Sequence, residues 1–266
     1  MNFFEFIIYV LYIMSINFVG EGKAIADIYD DEENIIKQVF FDEDEKGLEK
    51  LRLQDGSHFF PIIPDWVDDE QVDRVYVCGE TGCGKSSFIR EYILKFLNFF
   101  PKATILLFSS KKEDKCLDVI KQIKRVPIDD DIFHNPYTLE EISSNSKPTL
   151  CIFDDIEDFP NKKINKEVER LRDEIMRNGR SYGIYSIFVH HNPTDYKATR
   201  NMIFEANKVV IFPKRSGKGT YNYLLDKKLL ISKEQIDLIN NLKSNFVCIV
   251  KQIPKCIIAD KYLMLC

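Results

Sequence analysis

Gly79, Glu80, Thr81, Gly82, Cys83, Gly84, Lys85 and Ser86 spell the pattern G-x-x-x-x-G-K-S, with Ser87 directly after it. The spacing is that of a loop that cradles a polyphosphate. Its glycines let successive backbone N–H groups turn inward on an anion, and the following helix aims the positive end of its dipole at the same place. Lysine then reaches the β and γ phosphates while the serine hydroxyl offers a ligand to Mg²⁺. The expected ligands are ATP and Mg²⁺, held by Gly79 through Ser87, with Lys85 on the phosphates and Ser86 on the metal.

A second constellation lies some seventy residues on. The apolar run Leu150, Cys151, Ile152, Phe153 ends in Asp154 and Asp155. A strand that delivers two carboxylates at its C-terminal end puts them where α/β sheets bind ligands. In-line phosphoryl transfer needs a metal clamp and an oriented nucleophile, so Asp154 is expected to serve the metal and Asp155 to polarise the attacking water. An acidic strand-to-loop turn is the plainer alternative, with Glu157 and Asp158 close by.

The elements that must position these groups are readable as an alternation. Strands are expected at Arg74 to Cys78, Thr104 to Phe108, Thr149 to Phe153, Ile184 to Val189 and Val209 to Phe212. Helices are expected at Lys85 to Phe100, Asp114 to Lys124, Lys163 to Asn178 and Pro193 to Glu205, the last opened by Asn192 and Pro193. Ser232 and Gln235 make a capping box for a further helix through Leu242. Phe246 to Val250 and Cys256 to Ile258 could add edge strands. Apolar strands linked by amphipathic helices imply an α/β fold, a mostly parallel sheet covered by helices on both faces, and with the P-loop the expected fold is a RecA-type NTPase core.

Composition narrows the class. The chain has 266 residues, 45% of them hydrophobic, enough for a substantial core. Seven cysteines without regular spacing and without a C-x-x-C pair argue for reduced thiols, not a disulfide framework or a zinc site. The net charge of −5 conceals an asymmetry: residues 1–73 carry 18 acidic against 5 basic side chains, and residues 74–266 carry 24 against 32. The basic part suits a nucleic-acid partner and equally suits an ordinary soluble surface.

Three regions follow: an apolar then acidic N-terminal extension (1–73), a P-loop core (74–213) and C-terminal helices and edge strands (214–266). Residues 27–50 read as an exposed acidic arm and 59–73 as a connector. Residues 3–19 are apolar, but the uninterrupted part is shorter than the roughly 20 residues a spanning helix needs, and no basic residue precedes Lys23. A buried element or a partner-docking segment is the expected reading, with membrane insertion still open.

The block from Arg177 to Pro193, with Gly179-Arg180, Gly183-Ile184 and the terminal Pro193, resembles the FtsK/HerA superfamily of DNA-pumping ATPases, whose members carry a G-R-A-x-G-I-H strand ending in T-Q-R-P. The Asp-Asp ending, Thr199-Arg200, Ala206-Asn207 and the run from Val209 to Pro213 look most like the genome-packaging ATPases of large eukaryotic DNA viruses and related virus-like transposons. The resemblance covers roughly residues 74–213. It implies a homo-oligomeric ring that hydrolyses ATP to move double-stranded DNA, with a capsid or portal protein as a further partner, in the host cytoplasm, a virus factory or the virion. It implies that Arg180 acts on a neighbour's γ phosphate, Arg177 being an alternative, and that His191 stands where the family has a polar Gln sensor. Both arginines also read as helix-end cations, and His191 as a loop histidine. Lys214, Arg215 and Lys218 form a basic loop suited either to the DNA backbone or to plain solvation. A P-loop kinase acting on a small molecule and a nucleotide-regulated, membrane-associated scaffold remain the competing classes.

Overall fold

The computed structural model describes residues 15–43, 48–53, 56–66, 70–143, 147–156, 159, 161–192, 196–217 and 219–266. Residues 1–14, Glu157, Asp158, Pro193 and Lys218 lie outside these, and with them most of the apolar leader, the start of the helix expected at Pro193 and part of the basic loop. No helix of the described residues is long and apolar enough to cross a membrane.

The region expected to be an exposed arm is folded. Strands β1 (Ser15–Asn17), β2 (Lys23–Tyr29), β3 (Ile35–Asp42) and β5 (His58–Pro61) form an antiparallel sheet in the order β1-β3-β2-β5, while β4 (Lys50–Arg52) joins a different sheet. Four of its acidic residues, Asp30, Asp31, Glu32 and Glu33, fall in the β2–β3 turn, while Asp27 is buried within β2. Asp30 Oδ1 accepts from the backbone of Glu32 and Asn34, each at 2.9 Å, closing the β2–β3 hairpin. Between the turns, Val39 and Phe41 alternate inward, and Phe59 and Phe60 of the expected connector are fully buried. Phe60 stacks on Phe88 of the helix that follows the P-loop, with ring centroids 5.7 Å apart. At the rim of this contact Lys95 Nζ lies 2.6 Å from Glu33 Oε2 and His58 Nε2 lies 3.3 Å from Glu91 Oε1.

The main sheet holds β6 (Arg74–Cys78), β7 (Thr104–Ser109), β8 (Ile123–Arg125), β9 (Thr149–Asp154), β10 (Ile184–His190), β11 (Lys208–Ile211), β12 (Val247–Val250), β13 (Cys256–Ala259) and β14 (Tyr262–Leu265) together with β4. Its order is β4-β14-β13-β12-β11-β6-β10-β9-β7-β8. From β11 to β8 every pairing is parallel, and from β11 back to β4 every pairing is antiparallel. This is the α/β fold the sequence leads one to expect. Side-chain alternation on β6 feeds two cores: Val75 and Val77 face the helix Lys85–Phe99 and the N-terminal sheet, while Tyr76 and Cys78 face the helices Lys162–Asn178 and Lys233–Asn241.

The helix Lys162–Asn178 shows why such segments form. Asn161 caps it by accepting from Lys163 N at 2.9 Å, and Ile164, Val168, Leu171 and Ile175 repeat at helical spacing along its buried face. Ser232 and Gln235 close the capping box of Lys233–Asn241. The helix expected at Asp114 to Lys124 does not form. Asp114 Oδ1 accepts from Cys116 N at 2.8 Å, Asp118 Oδ2 accepts from Asp114 N at 2.7 Å, and this reciprocal turn leads into β8. Asp competes with the helical ladder for backbone N–H groups, which is why it favours turns.

Candidate active site

The P-loop follows β6, at the C-terminal edge of the parallel strands. A Cβ on Gly79 would fall 2.7 Å from both Cys83 Sγ and Tyr221 Oη, so the close packing under the loop demands glycine there. Gly84, with φ of 118°, takes a left-handed backbone and opens the helix Lys85–Phe99, whose N-terminus has no side-chain cap. Backbone donors at this end are thus directed to an anion by the loop geometry. Cys83 is buried beneath, and burial raises its thiol above the ordinary value, so it serves packing. Glu80, Thr81, Gly82 and Ser87 are exposed on the loop surface.

Lys85 is 8% exposed, and among the described residues no carboxylate is in hydrogen-bond contact with it. Its Nζ donates to Gly79 O at 2.6 Å and Glu80 O at 3.0 Å, and stands 3.2 Å from His191 Nδ1. Burial lowers its pKa from the ordinary lysine value, against the opposing pull of Cys83, Asp154 and Asp155. Since the ammonium only donates, His191 Nδ1 is the acceptor and Nε2 carries the proton that bonds Asp155 Oδ1. One neutral tautomer therefore links Lys85 to Asp155. Thr81 Oγ1 lies 3.5 Å from the same His191 Nδ1.

Strand order makes this linkage possible. β10 lies between β6 and β9, so His191, just past the tip of β10, falls between the P-loop and the carboxylates at the end of β9. His190 turns instead into its own loop, where Nδ1 accepts from Asn192 N at 3.1 Å. Asp154 is 5% exposed and Asp155 2%. Asp155 takes φ of 53°, a left-handed conformation uncommon outside glycine, and its carbonyl accepts from Ser110 Oγ at 2.7 Å.

Two residues of this site were missed by sequence reasoning, both in the loop after β7. Lys111 Nζ is ion-paired with Asp155 Oδ2 and lies 3.6 Å from Asp154 Oδ2. Asp114 Oδ2 accepts from Ser86 Oγ at 3.1 Å. The available signal was the sheet rule itself: every parallel strand ends at the ligand edge, so residues after Phe108 deserved the same scrutiny as those after Phe153. Burial, and next the charge of Asp155, raise the Asp154 carboxyl above its ordinary value. Burial also acts to raise Asp155, but hydrogen bonds from Lys111 and His191 outweigh it and hold that carboxyl low. The Ser86 hydroxyl and the Asp154 carboxylate are hard oxygen donors of the kind Mg²⁺ takes, and Asp114 accepts a hydrogen bond from that hydroxyl, so the residues present fit that ion.

Arg180 is placed elsewhere. It sits in the turn Gly179–Tyr182 before β10, exposed, at the opposite edge of the sheet from the P-loop. The seven residues of β10 separate it from His191, about 20 Å at strand rise. Its carbonyl accepts from Trp66 Nε1 at 2.8 Å, and no ion pair engages its guanidinium among the described residues. Arg177 is bonded within its own helix, Nε to Asp173 O at 3.1 Å. Lys214 and Arg215 lie in the turn Pro213–Arg215 after β11, alongside the P-loop, with Arg215 Nη1 4.0 Å from where a Cβ on Gly84 would stand.

No protein-family model matches the chain. It is 31% identical over 241 residues to the Uncharacterized protein V3 of Sputnik virophage, across 90% of this chain and 94% of that protein. Among solved structures it is similar to the genome packaging NTPase B204 of Sulfolobus turreted icosahedral virus 2 in complex with sulfate, with TM-score 0.50 and 19% identity over 71% of this chain and 96% of the other. It is also similar to the cytoplasmic domain of the Thermomonospora curvata Type VII secretion ATPase EccC, with TM-score 0.50 and 11% identity over 80% of this chain and 28% of that one. With its P-loop, its strand order and this virophage relative, the chain belongs to the family of Sputnik virophage protein V3, built on a P-loop NTPase fold.

Proposed function

We propose that this protein hydrolyses ATP and couples the reaction to translocation of double-stranded DNA, packaging a viral or virus-like genome into a capsid. The observation that carries the reading is the division of charged groups between the two sheet edges. Lys85, His191, Asp155 and Asp154 converge at one edge, while Arg180 stands exposed at the other, too far from its own P-loop to serve it.

Each residue has a task that its position supports. Lys85, bonded to two neutral carbonyls and His191, turns to the β and γ phosphates of the bound nucleotide. Asp155 accepts a hydrogen bond from the attacking water and orients it, and His191 reports the state of the phosphates to Asp155. Ser86 and Asp154 would hold Mg²⁺, which neutralises phosphate charge when bound. Arg180 supplies its guanidinium to the γ phosphate of the next subunit, which requires a homo-oligomeric ring. The virophage origin of the relative supports a site of action in the host cytoplasm, a virus factory or the virion, and the packaging reading itself brings in a capsid or portal protein as partner.

The test is the ATPase rate with and without duplex DNA, measured alongside native mass. Stimulation by DNA in an assembled ring is expected. A monomer indifferent to DNA that transfers phosphate to a small molecule would replace this reading with the kinase one.

A further inference from the structure

Two carboxylates buried side by side need a cation. Asp154 and Asp155 are almost wholly removed from water, and their mutual repulsion is poorly screened there. Lys85 acts on them only at a distance, because its ammonium is bonded to the carbonyls of Gly79 and Glu80 and to His191. His191 is a neutral donor in the tautomer its partners impose. Among the described residues this leaves Lys111, whose ammonium reaches both carboxylates.

The way Lys111 is mounted differs from the way its head is bound. Its backbone is fixed: the carbonyl accepts from Arg125 Nη1 at 2.9 Å and the N–H donates to Ser109 Oγ at 3.2 Å. The side chain is 44% exposed, so solvent reaches it while its ammonium pairs with two buried carboxylates. Such a side chain can leave the carboxylates without disturbing the loop that carries it.

We propose that Lys111 is the resident counter-cation of the nucleotide-free site, a positioning residue that holds Asp154 and Asp155 in place and is displaced when a divalent cation engages the same carboxylates. The inference rests on the reading of Asp154 as a metal-holding residue. It adds that metal binding is an exchange of one cation for another. Lys111 therefore weakens binding of free metal, and it protects the empty site from the repulsion of its own charges.

The probe is Mn²⁺ alone, without nucleotide, titrated by electron paramagnetic resonance against wild type, Lys111→Met and Lys111→Arg. Lys111→Met is expected to bind Mn²⁺ at least tenfold more tightly than wild type. In chelator it should melt at a lower temperature than wild type, with much of the loss restored by Mn²⁺. Lys111→Arg, which keeps the cation, should behave as wild type in both measurements. Equal or weaker Mn²⁺ binding by Lys111→Met would overturn the proposal. Should that variant not fold, wild type still decides: acylation of Lys111, followed by mass spectrometry, should be slow in chelator and several-fold faster with Mg²⁺ and a non-hydrolysable ATP analogue. Unchanged or slower labelling would overturn it. The Mn²⁺ and melting results involve no turnover, so they fail or hold separately from the ATPase and DNA measurements.

Discussion

The two ends of strand β6 bear buried charge in opposite ways. At its N-terminal end Asp73, 1% exposed, accepts from Lys208 Nζ at 2.6 Å and from Tyr92 Oη at 2.8 Å. Lys208 is itself 5% exposed and stands on the neighbouring strand. At the C-terminal end Lys85 is nearly as deep, yet it bonds neutral carbonyls and an imidazole. A charge whose task is structural is neutralised inside the chain by a partner in a fixed register. A charge whose task is chemistry is left with partners that an incoming phosphate can outbid. The carboxylates of β9 follow the second pattern, since their counter-ion arrives on a long, half-exposed arm.

The contrast is sharpest where charge removal should affect function and leave the fold intact. Lys85→Ala should abolish ATP binding or turnover while the melting temperature stays close to wild type, because no buried ion pair is broken. Equal ATP affinity in the two proteins would defeat the assignment. Arg180, at the structural edge but exposed, tests whether that edge also carries function in trans. Its replacement by Ala should cost a factor of about 10³ to 10⁵ in rate, far beyond the loss of a helix-end cation. Mixing Arg180→Ala with Lys85→Ala subunits should recover activity, and absence of rescue in verified mixed oligomers would make Arg180 a surface residue. Asp155→Asn should still bind ATP but hydrolyse it about 100-fold or more slowly, as loss of a base that orients water implies; single-turnover kinetics separates the two steps.

The other end of β6 should give the converse result. Lys208→Met leaves Asp73 buried without its cation, and denaturant unfolding should show a loss of about 3 to 5 kcal/mol, with turnover per folded molecule retained. A stable but inactive Lys208→Met would dissolve the distinction between the two ends. The smallest effect is expected from Lys251 at the same edge, whose Nζ donates to Ile203 O and Phe204 O at 2.6 and 2.9 Å. Burial, with Arg74 adding to it, lowers its pKa to about 8. Between that value and the ordinary lysine pKa the unfolded chain binds more protons than the folded one, so stability rises with pH there. Wild type should therefore gain stability relative to Lys251→Met as pH is raised through this window, and parallel melting curves would count against it.

Local sequence determined much of this protein. The P-loop spacing placed glycine at 79, where a Cβ would crowd Cys83 Sγ and Tyr221 Oη, and at 84, where φ of 118° disfavours any side chain. Short continuous apolar runs determined β6, β9 and β10, and caps at Asn161 and Ser232 determined where two helices begin. Acidity misled at residues 27–50, since charge counted along the chain does not reveal that Asp30 to Glu33 share one turn while Val39 and Phe41 face inward. Asp114 misled too, because a residue that can cap a helix can equally close a turn. What only the tertiary structure decided was adjacency. Lys85, Lys111, Asp155 and His191 span more than a hundred residues of chain, and no local pattern states that β10 lies between β6 and β9 or that the loop after β7 bends over the end of β9. Sheet order is chosen by the packing of whole strands and crossovers, and it alone turned four separate side chains into one connected site.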